Sequence, residues 1–366
     1  MKKILFFAST VSHINNFHVP YIKGFHDMGY EVHVATNDSG KIEYVSRVIQ
    51  LPLYKNIFSP KNFLAIIQSR KLIKSENYEK ISSNTTLGGL IVRFSVLFLK
   101  KRPRIYHIVH GYHFNIHYRL RKYIYIIPEK IAALVSDVVM VMNQEDYQIA
   151  KKYKLYRSKL FYINGIGVNL SRFKAKSIEE KNKRKLQMGL LPTDTIFSYV
   201  AEFSKRKNHK LLIRAFAECG FPNAKLLLAG DGKTISKCRK LANRFNQDRN
   251  IIFLGYVKNV PELYGACDVV VSTSRIEGLP FNVVEAMSCC IPVIASDIKG
   301  HRELVDHKRT GLLFKSEDKR ELCKCLNEFY NANLSWIASL GQNGTEEVSK
   351  YSIEFVFPQV MEIYKQ

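Results

Sequence analysis

Short apolar runs bounded by polar turns recur along the chain, and stretches with helical periodicity fill the spaces between them. In the first half, residues 3–8, 31–35, 105–109 and 137–142 read as strands. Residues 16–28 (closed by Gly29), 62–75, 87–100 and 144–153 read as helices. A short strand at 161–163 is followed by a loop-like 164–169 and a nearly all-charged 174–185, where the alternation breaks. The second half resumes it, with strands at 196–200, 225–229, 251–254, 269–272 and 292–295. Helices fall near 210–218, 236–245, 260–266, 282–289 and 319–331, and a helical tail over 345–364 is interrupted near Ser352 and Pro358. Strands alternating with helices predict parallel sheets covered on both faces. The expectation is an α/β chain of two Rossmann-like, doubly wound domains, 1–166 and 167–345, with 346–366 a helical tail returning to the first. Such sheets place a ligand crevice at the carboxyl ends of their strands, between the domains.

Composition narrows the picture. A chain of 366 residues with 46% apolar content suits two globular domains with real cores. Lys and Arg number 56 against 32 Asp and Glu, a net charge of +24 that asks for an anionic partner: nucleic acid, an anionic membrane surface or a phosphorylated substrate. The seven cysteines, Cys219, Cys238, Cys267, Cys289, Cys290, Cys323 and Cys325, form no C-x-x-C pair, and no histidine cluster has zinc spacing, so free thiols in a reducing compartment are expected. The apolar start meets polar His13, Asn15 and Asn16 with no A-x-A site, which favours a buried strand over a signal peptide. The apolar stretch 87–99 contains Arg93 and falls short of the ~20 residues of a membrane span.

The segment 272–287 carries the sharpest chemistry. A strand ends at Ser272, a polar loop follows, and Pro280 sits at a plausible first helical position. Free backbone N–H groups and the helix dipole there suit a phosphate, and Gly278 allows close backbone approach. Glu277 before the helix and Glu285 within it can accept hydrogen bonds from sugar or ribose hydroxyls. Spacing alone favours a loop–helix junction with solvated glutamates. Eight residues apart, the two carboxylates lie roughly 80° apart around a helix and make a poor glycosidase pair.

Glu277-Gly278-Leu279-Pro280 through Glu285-Ala286 resembles the E-x7-E motif of family 4 retaining glycosyltransferases, which have the GT-B fold of two Rossmann-like domains facing across a cleft. The resemblance covers nearly the whole chain. Gly165-Ile166-Gly167-Val168-Asn169 with Phe173 resembles the family's interdomain segment, and Phe203-Ser204-Lys205-Arg206-Lys207-Asn208-His209 its phosphate-binding loop. Leu228-Ala229-Gly230-Asp231-Gly232, Phe253-Leu254-Gly255-Tyr256-Val257 and Thr310-Gly311-Leu312-Leu313-Phe314 resemble later strand ends and turns. His13-Ile14, Phe17-His18-Val19-Pro20-Tyr21 and His110-Gly111-Tyr112-His113-Phe114 resemble the capsule and exopolysaccharide branch.

The resemblance implies that Glu285 binds the donor ribose and Glu277 the transferred sugar. It implies that Lys207 neutralises the diphosphate leaving group, with Gly278, Leu279, Arg206 and Gly167 also on the donor side. His110 is implied near the donor sugar, and His13 and His113 on the acceptor side. The chain departs from the family at Glu202, where an Arg is frequent, so Arg206 or Lys205 is expected to substitute. It departs again at Ser82-Ser83-Asn84-Thr85-Thr86, where the family's histidines are missing. The first loop lacks the glycines of many relatives, and no G-x-G-x-x-G fingerprint appears.

The implied reaction moves a sugar from a nucleotide sugar, with a lean to UDP, onto a lipid-linked saccharide. It has no protein nucleophile, no cofactor and no metal, since no Asp-x-Asp pair lies in a suitable loop. Arg93, Lys100, Lys101, Arg102 and Arg104 around 94–99, and Arg119, Arg121, Lys122 and Lys130 around 123–127, suit an anionic membrane surface, although core helices with solvated faces show the same pattern. The expected location is cytoplasmic, peripherally on the inner face of the cell membrane, without nucleic acid. A GT-B sugar-nucleotide epimerase and a basic nucleic-acid-binding protein are the rival readings, the latter without a recognisable motif.

Overall fold

The computed structural model describes residues 1–54, 59–112, 114 and 122–366. The chain forms two compact units: Met1–Gly167 together with Glu354–Gln366, and Val168–Ile353.

The first unit contains β1 (Lys3–Phe7), α1 (Val11–Phe17), α2 (Val19–Asp27), β2 (Glu31–Thr36), β3 (Arg47–Gln50), α3 (Lys61–Glu76) and β4 (Lys80–Ser83). It continues with α4 (Thr86–Val96), β5 (Arg104–Val109), α5 (Tyr123–Ala133), β6 (Val138–Val141), α6 (Gln144–Tyr153) and β7 (Lys159–Tyr162). All strands pair in parallel, in the order β3-β2-β1-β4-β5-β6-β7. The apolar start of the chain is the central strand β1, with Ile4 to Phe7 completely buried.

The helix expected over 16–28 is two helices that meet at His18. The Thr10 side chain caps α1 by accepting from the His13 N–H at 3.2 Å, and Pro20 opens α2. With only Val11 and Ile14 buried, α1 is too short to display a period, so its residues read as loop. β3 and β4 were hidden for a related reason. β3 is exposed at both ends, and β4 is Lys-Ile-Ser-Ser, whose serines bond within the fold instead of forming an apolar run.

The second unit contains α7 (Ile178–Gln187), β8 (Thr195–Val200), α8 (His209–Cys219), β9 (Ala224–Ala229), α9 (Ile235–Arg244), β10 (Ile251–Gly255) and α10 (Val260–Tyr264). It continues with β11 (Val269–Ser272), α11 (Phe281–Ser288), β12 (Val293–Asp297), α12 (Lys299–Arg302), β13 (Gly311–Lys315), α13 (Lys319–Tyr330) and α14 (Leu334–Val348). The strand order is β10-β9-β8-β11-β12-β13, again wholly parallel. Its core centres on Phe197, stacked on Phe221 at 5.7 Å and edge-on to Phe216 and Phe329.

The charged segment expected to mark the domain boundary is helix α7 of this unit. A capping box between Ser177 and Glu180 starts it, and Lys185 is buried against Asp268 and the Asp194 carbonyl, both at 2.8 Å. The chain divides at Gly167, and the returning segment begins at Glu354 instead of 346, because α14 packs on α11.

The last helix, α15 (Ile353–Lys365), covers the first unit's sheet. The Tyr364 hydroxyl meets Ser82 Oγ at 2.6 Å, and the Tyr364 carbonyl accepts from Lys80 Nζ and the Tyr106 hydroxyl at 3.0 Å each. Pro358 lies inside α15 without breaking it, contrary to expectation. All seven cysteines are free, and among the described residues no helix is long and apolar enough to cross a membrane.

Candidate active site

In the second sheet β8 and β11 are neighbours, yet the chain continues from them to opposite edges. Their carboxyl ends are therefore a topological switch point, where the loops diverge and leave a crevice. The two loops that leave it are 201–208 and 273–280, and they hold the sharpest motifs of the sequence.

The loops are tied together through main chain. The Thr273 hydroxyl lies 3.1 Å from the Lys207 and Asn208 carbonyls, and the Tyr199 hydroxyl 3.0 Å from the Lys207 carbonyl and 2.9 Å from Ser274 Oγ. The Arg275 N–H donates to the Arg206 carbonyl at 2.9 Å. Across this frame Glu277 receives both cations of the first loop. Lys207 Nζ lies 2.6 Å from Glu277 Oε1, and Arg206 Nη1 lies 2.8 Å from Oε2. Burial alone pushes the Glu277 carboxyl up, but the charges of Lys207 and Arg206 and the hydrogen bonds to it outweigh this and hold it at about 2.

Two glycines let β9 approach the Lys207 loop. A side chain on Gly230 (φ +137°) would strike the Ala201 carbonyl, and one on Gly232 (φ +145°) would meet the Phe203 carbonyl oxygen at 2.6 Å. His209, which opens α8, is an apolar spacer here. It stacks between Phe203 at 4.0 Å and Tyr199 at 4.6 Å, neither ring nitrogen has a partner, and burial pushes it down to about 3.

Glu277 is braced from behind by α12. His301 Nε2 lies 2.9 Å from Ser272 Oγ, its Nδ1 2.7 Å from the Ser296 carbonyl, and Ser296 Oγ donates to the Ser274 carbonyl. A Cβ on Gly300 would meet Glu277 Cβ and the Glu277 and Gly278 carbonyl oxygens at 2.8 Å, so only glycine fits. Pro280 is the N-cap of α11 instead of its first helical residue, in extended conformation and without a side-chain cap. Gly278 and Leu279 are buried in the same loop.

Glu285 follows on α11. Its partly buried carboxylate has no hydrogen bond or ion pair among the described residues, and burial pushes it up to about 7 against the pull of Arg172. A paired carboxylate, two cations and a second, unpaired carboxylate at a switch point make a site for an anion that also carries hydroxyl groups.

The comparisons with known proteins agree with this chemistry. Residues 3–162 match the "Glycosyl transferase 4-like" family model, and 180–346 match "Glycosyl transferases group 1". The chain is 31% identical over 367 residues to the "Putative glycosyltransferase EpsD" of Bacillus subtilis (strain 168), covering 99% of this chain and 96% of that one. This chain belongs to the glycosyltransferase family. Another relative of the glycosyltransferase is the UDP-Gal:alpha-D-GlcNAc-diphosphoundecaprenol alpha-1,3-galactosyltransferase of Escherichia coli, 26% identical over 304 residues, covering 79% of this chain and 77% of that one. Among solved structures, Anabaena Alr3699/HepE in complex with UDP and glucose aligns over 100% of both chains with a TM-score of 0.81 at 19% identity. The two doubly wound sheets are the GT-B fold.

In the glycosyltransferase's first unit, three imidazoles converge at the carboxyl ends of β1 and β5. His13 Nε2 lies 3.3 Å from His18 Nε2, and the His13 and His110 rings are 4.7 Å apart. All three are driven towards the neutral form by burial, His13 to about 4. His113 lies outside the described residues. Gly167 is the last residue of the first unit and adopts φ +79°.

Of the residues expected from the sequence, the fold places Glu277, Gly278, Leu279, Arg206 and Lys207 in the two loops of the second unit's crevice and Glu285 on the adjoining helix α11. The sequence reading missed the bracing set Tyr199, Thr273, Gly300 and His301. The signal available was Gly300-His301 just beyond a strand, but neither residue belongs to a recognised motif.

The expected membrane-facing cations need correction. Arg93 is fully buried, pairing with Glu129 at 2.9 Å and donating to the Gly89 carbonyl. Arg102 is committed to Asp137 at 2.6 and 2.7 Å. Most of 94–99 is packed inward, leaving Phe98, Lys100 and Lys101 exposed, and Arg119 and Arg121 lie outside the described residues. On α5 the picture differs. Ile124, Ile127, Ile131 and the capping Leu134 follow one helical face and are 42–64% exposed, flanked by Lys122 and Lys130.

Proposed function

We propose that this glycosyltransferase transfers a sugar from a UDP-sugar, with retention of configuration, to a lipid-linked saccharide during capsule or exopolysaccharide synthesis. The observation that carries this reading is the Arg206–Glu277–Lys207 cluster, with Glu285 unpaired on the adjoining helix. Two cations on one carboxylate leave one positive charge in excess, which suits a diphosphate. The partly buried Glu285 is the acceptor for a pair of ribose hydroxyls, and Glu277 for hydroxyls of the sugar.

In the reaction, the bond between the sugar's anomeric carbon and the β-phosphate oxygen breaks while the acceptor oxygen bonds to that carbon on the same face. The acceptor proton passes to the departing phosphate oxygen. Charge grows on the diphosphate as this happens, and Lys207 and Arg206 are held in place for it beforehand by Glu277. These cations do the work a divalent metal does elsewhere, so the transfer step is proposed to need none. His110 of the first unit, a neutral imidazole, is assigned to the transferred sugar, and His13 to the acceptor side. The UDP and glucose bound in the HepE relative, and the UDP-Gal donor and diphosphoundecaprenol-linked acceptor in the name of the Escherichia coli relative, support donor and acceptor class.

The exposed apolar stripe of α5 between Lys122 and Lys130 supports peripheral seating on an anionic membrane at the cytoplasmic face, where a lipid-linked acceptor is met. Beside it a narrow pocket of about 30 Å³, lined by Leu90, Val109, Tyr112, Phe114, Tyr125 and Pro128, adjoins His110.

The test is a panel of UDP- and other nucleotide sugars screened by thermal stabilisation, followed by mass detection of the glycosylated polyprenyl-diphosphate acceptor. Anomeric configuration is read by NMR. Stabilisation by a UDP-sugar with an unchanged anomeric centre is expected. Absence of stabilisation by every nucleotide sugar, or an inverted product, overturns the proposal.

A further inference from the structure

His13, His18 and His110 come from three different places: the middle of α1, the joint between α1 and α2, and the loop after β5. His13 and His18 are separated by four residues, an H-x4-H spacing within the range of zinc ligands that the sequence was not expected to hold, and the fold adds His110, bringing one nitrogen of each within 4.8 Å of the others. His13 Nε2 and His18 Nε2 are already 3.3 Å apart. Two imidazoles bound to one tetrahedral zinc ion at about 2.0–2.1 Å hold their nitrogens about 3.3 Å apart, so this pair has the right bite. Apart from the one hydrogen-bonded contact between His13 and His18, His18 Nδ1 and His110 Nε2 are buried without a partner.

We propose that His13, His18 and His110 form a three-histidine site for a transition-metal dication of the zinc and cobalt class, with the fourth position left to water. Three neutral imidazoles with no carboxylate or thiolate in the cluster among the described residues select such ions over magnesium or calcium, which require oxygen ligands. The third nitrogen must close in by roughly 1.5 Å from the 4.8 Å limit. His13 and His110 are only partly buried, whereas His18 is completely buried and is the fixed post of the site. Occupancy would take His13 and His110 away from the sugar-binding roles assigned above. That consequence rests on the proposed transferase reading, whereas metal binding itself does not.

The test is a titration of the tag-free protein with Co2+, read by its visible absorption, with Zn2+ as competitor. The wild type is expected to take one Co2+ with a tetrahedral-type spectrum and to release it to Zn2+. His13→Ala and His110→Ala, at partly exposed positions, should each weaken Co2+ binding by about 100-fold or more, since even outer partners of metal ligands cost 10–100-fold. His18→Gln should do the same, with circular dichroism confirming the fold of each variant. Failure to bind Co2+ at one equivalent overturns the site. So does binding unchanged in His13→Ala and His110→Ala, or a sulfur-to-cobalt band showing that the free cysteines hold the ion.

Discussion

Replacing Glu285 by Gln separates what the residue does for the fold from what it is proposed to do for the donor, because the two effects have opposite signs. Burial raises its carboxyl from 4.5 to about 7. Between these values the folded chain binds a proton that the unfolded chain has lost, so stability falls as pH rises through this window and the whole penalty is present above pH 7. A shift of that size corresponds to about 3 kcal/mol at most. The buried amide of Gln keeps part of its own desolvation cost, so a recovery of about 1–2 kcal/mol is expected at pH 8. For a unit of 168–353 this raises the melting temperature by about 2–8 °C. Near pH 5 most of the penalty is gone and the two proteins should melt within a degree or two of each other. Donor binding should move the other way. Losing a charged acceptor for the ribose hydroxyls costs about 1.5–3 kcal/mol, or roughly 10–150-fold in the Kd for UDP. Differential scanning calorimetry over a pH series and isothermal titration with UDP measure both. A variant that melts no higher at pH 8 refutes the electrostatic argument, and one that binds UDP within twofold of the wild type removes Glu285 from the donor site.

Lys207→Ala should lower kcat by about 100-fold or more and weaken donor binding much less, because its charge matters most as the diphosphate departs; equal losses in steady-state kinetics and calorimetry would make it a ground-state contact only. Gly300→Ala forces a methyl against the Glu277 and Gly278 carbonyl oxygens at 2.8 Å, so a loss of about 1–3 kcal/mol in urea unfolding and weaker UDP binding are expected, and an unchanged midpoint would show that the loop yields freely. Ile127→Glu with Leu134→Ser should abolish co-sedimentation with anionic vesicles while leaving the fold intact, since both side chains already face solvent; retained binding would show that the α5 stripe is not the lipid contact.

The parts of the fold that could be read from the sequence are those where burial imposes a pattern on one stretch of chain. The central strands β1 and β11 carry continuous apolar runs, Ile4–Phe7 and Val269–Val271, because helices cover both faces of each sheet, and α6 shows its period and its Asn143 cap in plain view. The parts that could not be read are held by distant partners. β4 is a strand because it pairs with β1 and β5, and its Ser82 is satisfied by Tyr364 across 282 residues of sequence, which nothing within Lys-Ile-Ser-Ser announces. α7 looked like a charged linker because its one buried residue is a lysine, acceptable only once Asp268 is beside it. The candidate site divides along the same line. Glu277, Glu285 and Lys207 lie within compact motifs and were assigned through the resemblance of those motifs to the family's. Their supports were not, since Gly300 is required only by the backbone of Glu277 and Gly278, and His301 matters only through Ser272 and Ser296. The three-histidine cluster is the extreme case: 92 residues separate His18 from His110, and their meeting follows from β1 and β5 both ending at β4's flanks in a parallel sheet. Local chemistry can be read along a chain, but convergence, such as the meeting of His18 with His13 and His110, becomes visible only when strand order is known.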